Sequence, residues 1–489
     1  MDWKISLLAT ILVPLLGSLS LPLFGLWSAR MRNLWAIFLG SATCFFAVSL
    51  LPQCLSGDPL VLSYSIGLGM DAVLIVDALS VFMATASSFI STLIIVYSLG
   101  YLKNRPHQQE YFMMVVLFLG AMMGLVFSAN LLLMYVFWEI TGICSWRLIG
   151  FFRDNEAVIK ADKAFLTTFG GAVFMLLGFA LVYSQTHTFN LLEMKGVPIS
   201  GWAVALITVG IFAKSATLPF HTWLPDAGVA PTTVTALLHA AVLVKIGVYA
   251  FARIFNYTFA MPPSWQFYVM ILALLSTVVS ACAALMENNI KRILAYSTIS
   301  QIGYIFMGLA SFTAAGIAGA LLFILMHGIA KAGLFLSAGV IEHGTSTKDI
   351  SKMGGLFKVM PFTAISFLAC VFSVIGIPPF GGFYSKGLVI QGLARSENNL
   401  IAVAAILAAV LTAAYLLRLF TLVFLGEPRD TFLHVHREGT PSMVWVVASL
   451  AFLSLLSGVF VHYPEGLVHT AVNQMLGNPA VSHVIGALR

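Results

Sequence analysis

Apolar runs recur along almost the whole chain, and this repetition restricts the fold more than any other feature of the sequence. Each run is about 20 residues long, which is the length an α-helix needs to cross roughly 30 Å of hydrocarbon. Only 9% of the 489 residues are charged, whereas a typical soluble domain has about 25%. The sequence therefore predicts an all-α polytopic membrane protein, and its first run is predicted to be a retained span rather than a signal peptide.

Fourteen transmembrane spans are predicted. Their centres lie near residues 15, 43, 87, 119, 138, 173, 211, 243, 275, 301, 328, 370, 411 and 451. With this count, the loops on one side carry fourteen cations: Arg30, Arg32, Lys103, Arg105, Arg153, Lys160, Lys163, Lys291, Arg292, Lys348, Lys352, Lys358, Arg429 and Arg437. The loops on the other side carry five: Lys4, Lys195, Arg253, Arg395 and Arg489. Because cytoplasmic loops are richer in Lys and Arg, both termini are predicted on the non-cytoplasmic side.

Two of the spans contain prolines that interrupt a helix. Pro219 should break span 7 near Leu218, and Pro378 and Pro379 should break span 12, because proline removes a backbone donor and clashes with the preceding turn. The two spans are five apart, so the chain crosses in opposite directions at the two breaks, as in an inverted repeat of five helices. Chance placement of prolines would give the same pattern.

The predicted repeats divide the chain into four parts. These are spans 1–3 (residues 1–105), a first inverted repeat with spans 4–8 (106–258), a second with spans 9–13 (259–426), and span 14 with a short tail (427–489).

Seven ionisable residues are predicted inside the spans: Glu139, Lys214, His239, Lys245, His327, Lys331 and Lys386. A charge near the bilayer centre costs roughly 2.5–3.5 kcal/mol, so these residues should face one another or water. His327 and Lys331 are four residues apart and therefore share a helix face. Desolvation and nearby charges change proton affinity in opposite directions, so such a row can pass protons through intervening water.

Structural roles remain as alternatives for these residues. Glu139 can be an acid tied to a buried lysine, Lys331 can extend toward the membrane surface, and Lys245 can lie within reach of a helix end. Lys214 and Lys386 can have structural roles beside the broken helices, and the histidines can be packing residues. Asp77 and Asp226 fit helix caps and functional roles equally well.

Other classes of function find no support in the sequence. The five cysteines are far apart, with no CxxC pair, so redox centres are expected on other chains. No Lys/Arg-rich block is present, and nucleic acid is therefore not an expected partner.

Several segments resemble one known family. "FWEITGICSW", "AKSATLPFHTWLPDAGVAPTTVTALLHAAVLVKIGVYAFAR", "NNIKRILAYSTISQIGYIFMG", "MHGIAKAGLFLSAG" and "GIPPFGGFYSK" are similar to segments of the antiporter-like proton-translocating subunits shared by respiratory complex I, Mrp-type sodium/proton antiporters and membrane-bound energy-converting hydrogenases. The likeness runs in order from about residue 70 to 425.

The resemblance implies roles for the residues within the spans. Glu139 and Lys214 would be the acid and base of one half-channel, with His239 and Lys245 in the same relay. His327 and Lys331 would form the central connection, and Lys386 the exit-side lysine. Some relatives have a further histidine where this chain has Phe323, so the central connection is expected to depend more on water.

The segment "EITGICSW" resembles the corresponding segment of hydrogenase 4 and formate hydrogenlyase type subunits more than the "EGVGLCSY" that is common in complex I. The resemblance thus implies a non-catalytic subunit that translocates protons, with sodium as the other candidate ion, in a complex I-like hydrogenase or formate hydrogenlyase. The alternative is a subunit of respiratory complex I or of an Mrp-type antiporter.

The resemblance also implies surroundings for the chain. They are the inner (plasma) membrane of a bacterium or archaeon, a further antiporter-like or quinone-site-type membrane subunit, and a peripheral hydrogenase or dehydrogenase arm. No cofactor is expected in this chain, whereas iron–sulfur clusters and a nickel–iron site are expected in partner subunits. A self-sufficient secondary antiporter and a passive membrane scaffold are the other classes that the sequence leaves open.

Overall fold

The computed structural model describes residues 2–55, 58–67, 70–427 and 438–477. Three cations of the loop-charge prediction, Arg429, Arg437 and Arg489, lie outside these ranges. The helices before the first discontinuity are α1 (Trp3–Trp27), α2 (Ala29–Ser49), α3 (Leu51–Leu55), α4 (Ala78–Tyr101), α5 (Gln108–Phe127), α6 (Leu131–Ile149), α7 (Asn155–Thr186) and α8 (Gly201–Lys214). The later helices are α9 (Trp223–Asp226), α10 (Thr232–Ala236), α11 (Leu243–Phe251), α12 (Pro263–Met286), α13 (Ile290–Ala310), α14 (Ala314–Thr345), α15 (Pro361–Ile375), α16 (Gly381–Arg395), α17 (Asn399–Phe424), α18 (Pro441–Val459) and α19 (His462–Leu476).

Long apolar helices account for most of the chain. In the described ranges, twelve helical segments are long and apolar enough to cross a membrane. Two further crossings are discontinuous, one made of α8 and α9 and the other of α15 and α16. Twelve and two give the fourteen predicted spans, and the prediction of an all-α multi-pass membrane protein is confirmed.

Both predicted discontinuities are present. The first helix ends at Lys214, four residues before the predicted break at Leu218, and the second ends at Ile375. The Leu218–Pro219 and Pro378–Pro379 peptide bonds are cis. Helix ends leave carbonyls without a partner, and the indole N–H of Trp223 donates to the freed carbonyl of Ala213 at 3.0 Å. The division of the chain into two repeats and four parts remains a prediction.

Asparagine side chains start two of the helices that carry or contact the ionisable residues. The Oδ1 atom of Asn130 accepts from the amides of Leu132 and Leu133 at 2.9 and 3.2 Å. Asn289 does the same for Lys291 and Arg292 at 3.0 and 3.3 Å. These bonds satisfy amides that a helix leaves unpaired at its N-terminus, and so set where α6 and α13 begin.

Some elements were not predicted. π-helical turns, Leu237–Ala241 and Ala252–Thr258, flank α11. Strands β1 (Leu60–Gly67) and β2 (Met70–Val76) form an antiparallel hairpin before α4. Helix α19 follows the last span, where only a tail was expected.

The helices that carry most of the ionisable residues lie in the interior. The segment Thr232–Thr258 is buried over its whole apolar window, and α13 and α14 are buried over 94% of theirs. The corresponding share is 33% for α1 and 39% for α17. The interior therefore consists of α11, α13 and α14, with the other two helices at the lipid-facing periphery.

A buried ion pair joins α4 to the helix that contains α11. Nη1 and Nη2 of Arg253 donate to the carboxylate of Asp77 at 2.6 and 2.8 Å, and each side chain is 1% exposed. Asp77 also accepts from the Ser80 amide as the N-cap of α4. The prediction of Arg253 in a loop was wrong, because the helix continues through a π-helical segment to Thr258.

Replacing Asp77 by Asn should destabilise the protein, because it leaves the guanidinium of Arg253 buried without a counter-charge. Breaking a buried pair from one side costs about 3–5 kcal/mol. The measurement is the free energy of unfolding of the purified protein in denaturant. The double variant D77N/R253M removes both charges and should recover most of the loss. Equal stability of the single and double variants would contradict this account.

The orientation predicted from loop charges is testable with two single-cysteine variants. Asn399, the first residue of α17, and Lys352, in the connection between α14 and α15, are both exposed and lie on sides of the membrane that are predicted to be opposite. We expect a membrane-impermeant maleimide to label Asn399→Cys in intact cells, and to label Lys352→Cys only after permeabilisation. The reverse labelling would invert the predicted topology.

Candidate functional site

The seven predicted residues form the central row: Glu139, Lys214, His239, Lys245, His327, Lys331 and Lys386. The structure buries six of them almost completely, and only Glu139 is half-buried. They come from six helical elements of the bundle: α6, α8, the π-helical turn before α11, α11 itself, α14 and α16. Their roles remain predictions, whereas their positions follow from the fold.

Glu139 and Lys214 face a common space above a glycine. The Nζ atom of Lys214 donates to the carbonyl of Trp138 at 3.0 Å and lies 5.3 Å from the indole centroid. A Cβ atom on Gly142 would lie 3.5 Å from this nitrogen and 3.8 Å from Oε2 of Glu139. The missing side chain at Gly142 thus leaves room between the acid and the amine.

Lys245 and His327 are in direct contact. The Nζ atom of Lys245 lies 3.0 Å from Nδ1 of His327 and donates to the carbonyl of Ile324 at 2.9 Å. When the ammonium donates to Nδ1, the proton of the neutral imidazole is on Nε2. This Nε2 atom is buried and has no partner in the described part of the chain. One side of the ring is therefore connected to an amine, and the other side is open for a further proton acceptor.

His327 is at the centre of the row. It lies within electrostatic range of Lys245, Lys331, Lys386 and His239. Lys331 follows one turn later on the same face of α14, as predicted, and its amine donates to the carbonyl of Leu294 on α13 at 3.1 Å. The structure therefore brings together the three ionisable residues of α11 and α14.

His239 lies in the first π-helical turn. Its ring packs against Phe335 with centroids 4.5 Å apart, and neither ring nitrogen has a partner in the described ranges. Lys331 is its electrostatic neighbour. π-helical turns of this kind occur frequently at functional sites. This one orients the imidazole of His239 but supplies no hydrogen-bond partner to its ring nitrogens.

Lys386 is held by the end of the preceding half-helix. Its amine donates to the carbonyls of Val374 and Ile375 at 2.8 and 3.4 Å, at the C-terminus of α15. The negative end of the helix dipole favours a cation there. The amine also lies 4.7 Å from the ring of Tyr304 and 5.5 Å from that of Phe323.

Phe323 packs against both His327, at the centre of the row, and Lys386. Its ring centroid is 5.8 Å from that of His327, and the Lys386 amine lies 5.5 Å from the ring centroid. An apolar ring thus lies beside both ionisable groups, at the position where some relatives have a further histidine. The missing histidine was expected from the sequence, but the contact of Phe323 with both groups was not.

Several buried polar atoms near the row have no protein partner. Within the described residues they include Oε1 of Glu139, both ring nitrogens of His239, Nε2 of His327, and the hydroxyls of Ser215, Thr217, Thr233 and Ser373. A buried unsatisfied polar group costs about 1–3 kcal/mol, and ordered water is the usual way in which such groups are satisfied. The chemistry of the interior thus favours internal water along the row.

Trp138, Gly142 and Tyr304 contact the row but were not singled out from the sequence. The indole of Trp138 is adjacent to Glu139, and Gly142 follows one turn later, so helical spacing was the available signal. Tyr304 had no such signal, because it lies on another helix. No group of three or more His, Cys, Asp or Glu in the described ranges is arranged to hold a metal ion; the absence of a cofactor remains a prediction.

Comparisons with known proteins agree on the family. Residues 128–412, more than half of the chain, match the family model described as "NADH:quinone oxidoreductase/Mrp antiporter, TM". Residues 62–112 match "NADH-Ubiquinone oxidoreductase (complex I), chain 5 N-terminus".

Curated relatives include subunits A and A1 of Na(+)/H(+) antiporters. One such antiporter protein, from Alkalihalophilus pseudofirmus, is 35% identical over 440 residues, which is 83% of this chain and 54% of the relative. Another, from Staphylococcus haemolyticus, is 31% identical over 474 residues, covering 90% of this chain and 58% of the relative. The chain thus spans little more than half the length of these relatives.

Two solved structures have the same fold over essentially the full length. A chain of the Mrp complex from Dietzia sp. superposes with a TM-score of 0.88 at 23% identity and covers 100% of both chains. A chain of the membrane-bound sulfane sulfur reductase, an archaeal respiratory membrane complex, has a TM-score of 0.88 at 24% identity and covers 99% and 100%. The match to the family model and the relatives that are 35% and 31% identical show that the chain belongs to the antiporter-like transmembrane family shared by NADH:quinone oxidoreductase and Mrp antiporters.

Proposed function

We propose that this chain conducts protons through the membrane along the central row, as an antiporter-like subunit of an Mrp-type sodium/proton antiporter complex. The observation that carries the proposal is the imbalance in the row. Four amines, those of Lys214, Lys245, Lys331 and Lys386, are almost completely buried, and the row has only one carboxylate.

Because the row has four amines and one carboxylate, we expect that not all of its basic groups are protonated at the same time. Each charge near the bilayer centre costs roughly 2.5–3.5 kcal/mol, so the states with fewest uncompensated charges are the most populated. Each of the four amines donates to a backbone carbonyl, at distances of 2.8–3.1 Å. A carbonyl accepts from the amine without supplying a counter-charge. An amine held in this way releases a proton when a neighbour becomes charged.

Glu139 is the residue through which a partner subunit would act. It is the only half-buried member of the row, and it lies on α6, whose apolar window is 44% buried. A neighbouring membrane subunit packed against this face would change the charge near Glu139, and hence the proton affinity of Lys214. We therefore include further membrane subunits in the proposal.

The nature of the complex is the second part of the proposal. The sequence alone favoured a hydrogenase or formate hydrogenlyase, whereas the comparisons support the alternative, an Mrp-type complex, through antiporter subunits 35% and 31% identical to this chain. A respiratory redox complex is the second candidate, supported by the fold shared with the sulfane sulfur reductase. In that case, iron–sulfur or nickel centres would lie in partner chains.

Isolation of the native complex separates the two candidates. We expect inverted membrane vesicles with the intact complex to exchange sodium or another cation for protons when a pH gradient is imposed, without an electron donor. Ion movement that requires an electron donor, in a complex that co-purifies with iron or nickel, would support the redox complex instead.

Removing the charge of Glu139 or Lys214 should abolish most of the proton movement. We expect E139Q and K214M to reduce the rate by about a hundredfold or more, since a positioned proton-transfer group typically contributes about 10²–10⁴-fold. The rate is measured with a pH-sensitive dye in vesicles that contain equal amounts of assembled complex. E156Q is the control, because Glu156 is an exposed acid paired with Lys160. Wild-type rates in both row variants would remove the proposal.

Filling the space above Gly142 should have a similar effect without any change of charge. A leucine there would occupy the room between Glu139 and Lys214, and we expect G142L to reduce the rate several-fold. G142A adds a single atom at ordinary contact distance and should be tolerated. The control is G170L on α7, where a Cβ atom meets nothing within 4 Å. Equal rates for G142L and G170L would show that this space carries no proton.

A further inference from the structure

A second carboxylate–lysine pair lies at one end of α13 and α14, outside the central row. Oε2 of Glu342 lies 2.7 Å from Nζ of Lys291, whose side chain is only 1% exposed, although sequence analysis placed Lys291 among the loop cations. Lys291 also donates to the carbonyl of Ala230 at 3.2 Å. On its other oxygen, Glu342 has Lys348 at 3.4 Å. Within the pair, the lysine is therefore shielded from solvent, whereas the carboxylate is partly exposed.

Glu342 faces a cavity that opens at the surface. The cavity has a volume of about 510 Å³ and is lined by Glu287, Asn289, Glu342, Thr347 and Lys348 among others. It lies at the cation-rich loops, on the side predicted to be cytoplasmic. Water and protons on that side thus have direct access to this carboxylate.

Hydroxyl groups lead from Glu342 into the interior. The hydroxyl of Thr232 donates to Oε2 of Glu342 at 2.9 Å, and the hydroxyl of Thr235, one turn later, donates to the carbonyl of Thr232 at 2.8 Å. His239 follows one turn after Thr235. The seven residue-to-residue steps from Thr232 to His239 span about 10 Å at roughly 1.5 Å per residue.

This hydroxyl ladder, Thr232, Thr235 and His239, ends at an imidazole that has no protein partner on either nitrogen within the described residues. The hydroxyl of Thr233, on the same short helix, is also buried without a partner in the described ranges. Other titratable groups near the ladder include Tyr101, whose hydroxyl is 3.2 Å from that of Thr232, His343, whose ring is 6.5 Å from that of Tyr101, and the buried tyrosines Tyr97 and Tyr111. Unsatisfied groups at the inner end indicate water that continues the ladder.

We propose that Glu342 is the entry group for protons, which it takes from the cavity and passes along the hydroxyl ladder to His239 and Lys331. This inference rests on the proposed function. A proton from hydronium in the cavity binds the Glu342 carboxylate, and water is released. The neutral acid then donates a proton to the hydroxyl of Thr232, which donates its own proton to water. Because the Thr235 hydroxyl is bonded to a main-chain carbonyl and not to the Thr232 hydroxyl, water bridges the two hydroxyls, and each hydroxyl or water accepts one proton and donates another. His239 receives the proton at the inner end, and Glu342 returns to the carboxylate paired with Lys291.

A structural tie between α13 and α14 is the competing interpretation, and substitutions in and near the cavity separate the two. E342Q removes the proton-binding group but keeps the size of the side chain. E342D keeps the carboxylate. T235V removes one hydroxyl of the ladder and no charge, and should not disturb the ion pair. Each is measured in the whole complex, as the rate of proton movement per assembled complex, together with the thermal stability of the purified complex.

Glu287 provides a matched control. It lines the same cavity but binds Arg292 at 2.7 Å rather than the ladder. Burial alone would raise the pKa of the Glu287 carboxyl, but Arg292 and the amides of Asn288 and Asn289 hold it below its ordinary value. E287Q therefore removes one negative charge from the cavity, as E342Q does, without touching the proposed path.

We expect E342Q to reduce the rate roughly tenfold or more and T235V several-fold, with E342D and E287Q near wild type and E139Q inactive. Equal rates for E342Q and E287Q, with E139Q inactive, would overturn the entry role of Glu342 but leave the central row in place. An active E139Q would instead remove the proposed function. If E342Q fails to assemble, T235V decides: a wild-type rate in T235V overturns the ladder.

Discussion

The hydrogen bonds between buried amines and main-chain carbonyls are the interaction on which the rest of the site depends. Lys214, Lys245, Lys331 and Lys386 each donate to a carbonyl at 2.8–3.1 Å. A carbonyl has a second lone pair beyond the one used in a helix, so the bundle holds the amines without a carboxylate for each. The amines thus keep a fixed geometry in either protonation state, and the row contains no rigid, fully compensated ion pair of the kind that joins Asp77 to Arg253.

Irregular backbone serves this arrangement at three places. The end of α8 places Lys214, the end of α15 receives the amine of Lys386, and a π-helical turn presents His239. Non-helical backbone inside a membrane needs protein or water to satisfy its polar groups, and at the end of α15 the amine of Lys386 supplies part of that satisfaction. This discontinuity and its lysine therefore stabilise each other, whereas the amine of Lys214 donates to a carbonyl of the neighbouring helix α6.

Much of the architecture follows from the sequence, because apolar length and proline placement depend on local chemistry alone. The fourteen spans, both discontinuities and the burial of the row could be predicted in this way. Contacts between helices could not, since spacing along one helix says nothing about rotation against a neighbour. The pairing of Lys245 with His327, the place of Phe323 and the bonding of Glu342 to Thr232 depend on such rotations. Arg253 and Lys291 were predicted among the loop cations, because a buried cation is recognisable only when its distant acid is known.

The attachment of Lys386 to the end of α15 has a mechanical consequence. No acidic side chain of the row lies there to fix its charge, so the hold on the amine depends on the direction of a half-helix. Tilting α15 would move its last carbonyls away from the amine and weaken that hold. At this site, a movement of the half-helix would release the ammonium group from its carbonyls and favour loss of its proton. A force on α15 would therefore change the protonation of Lys386.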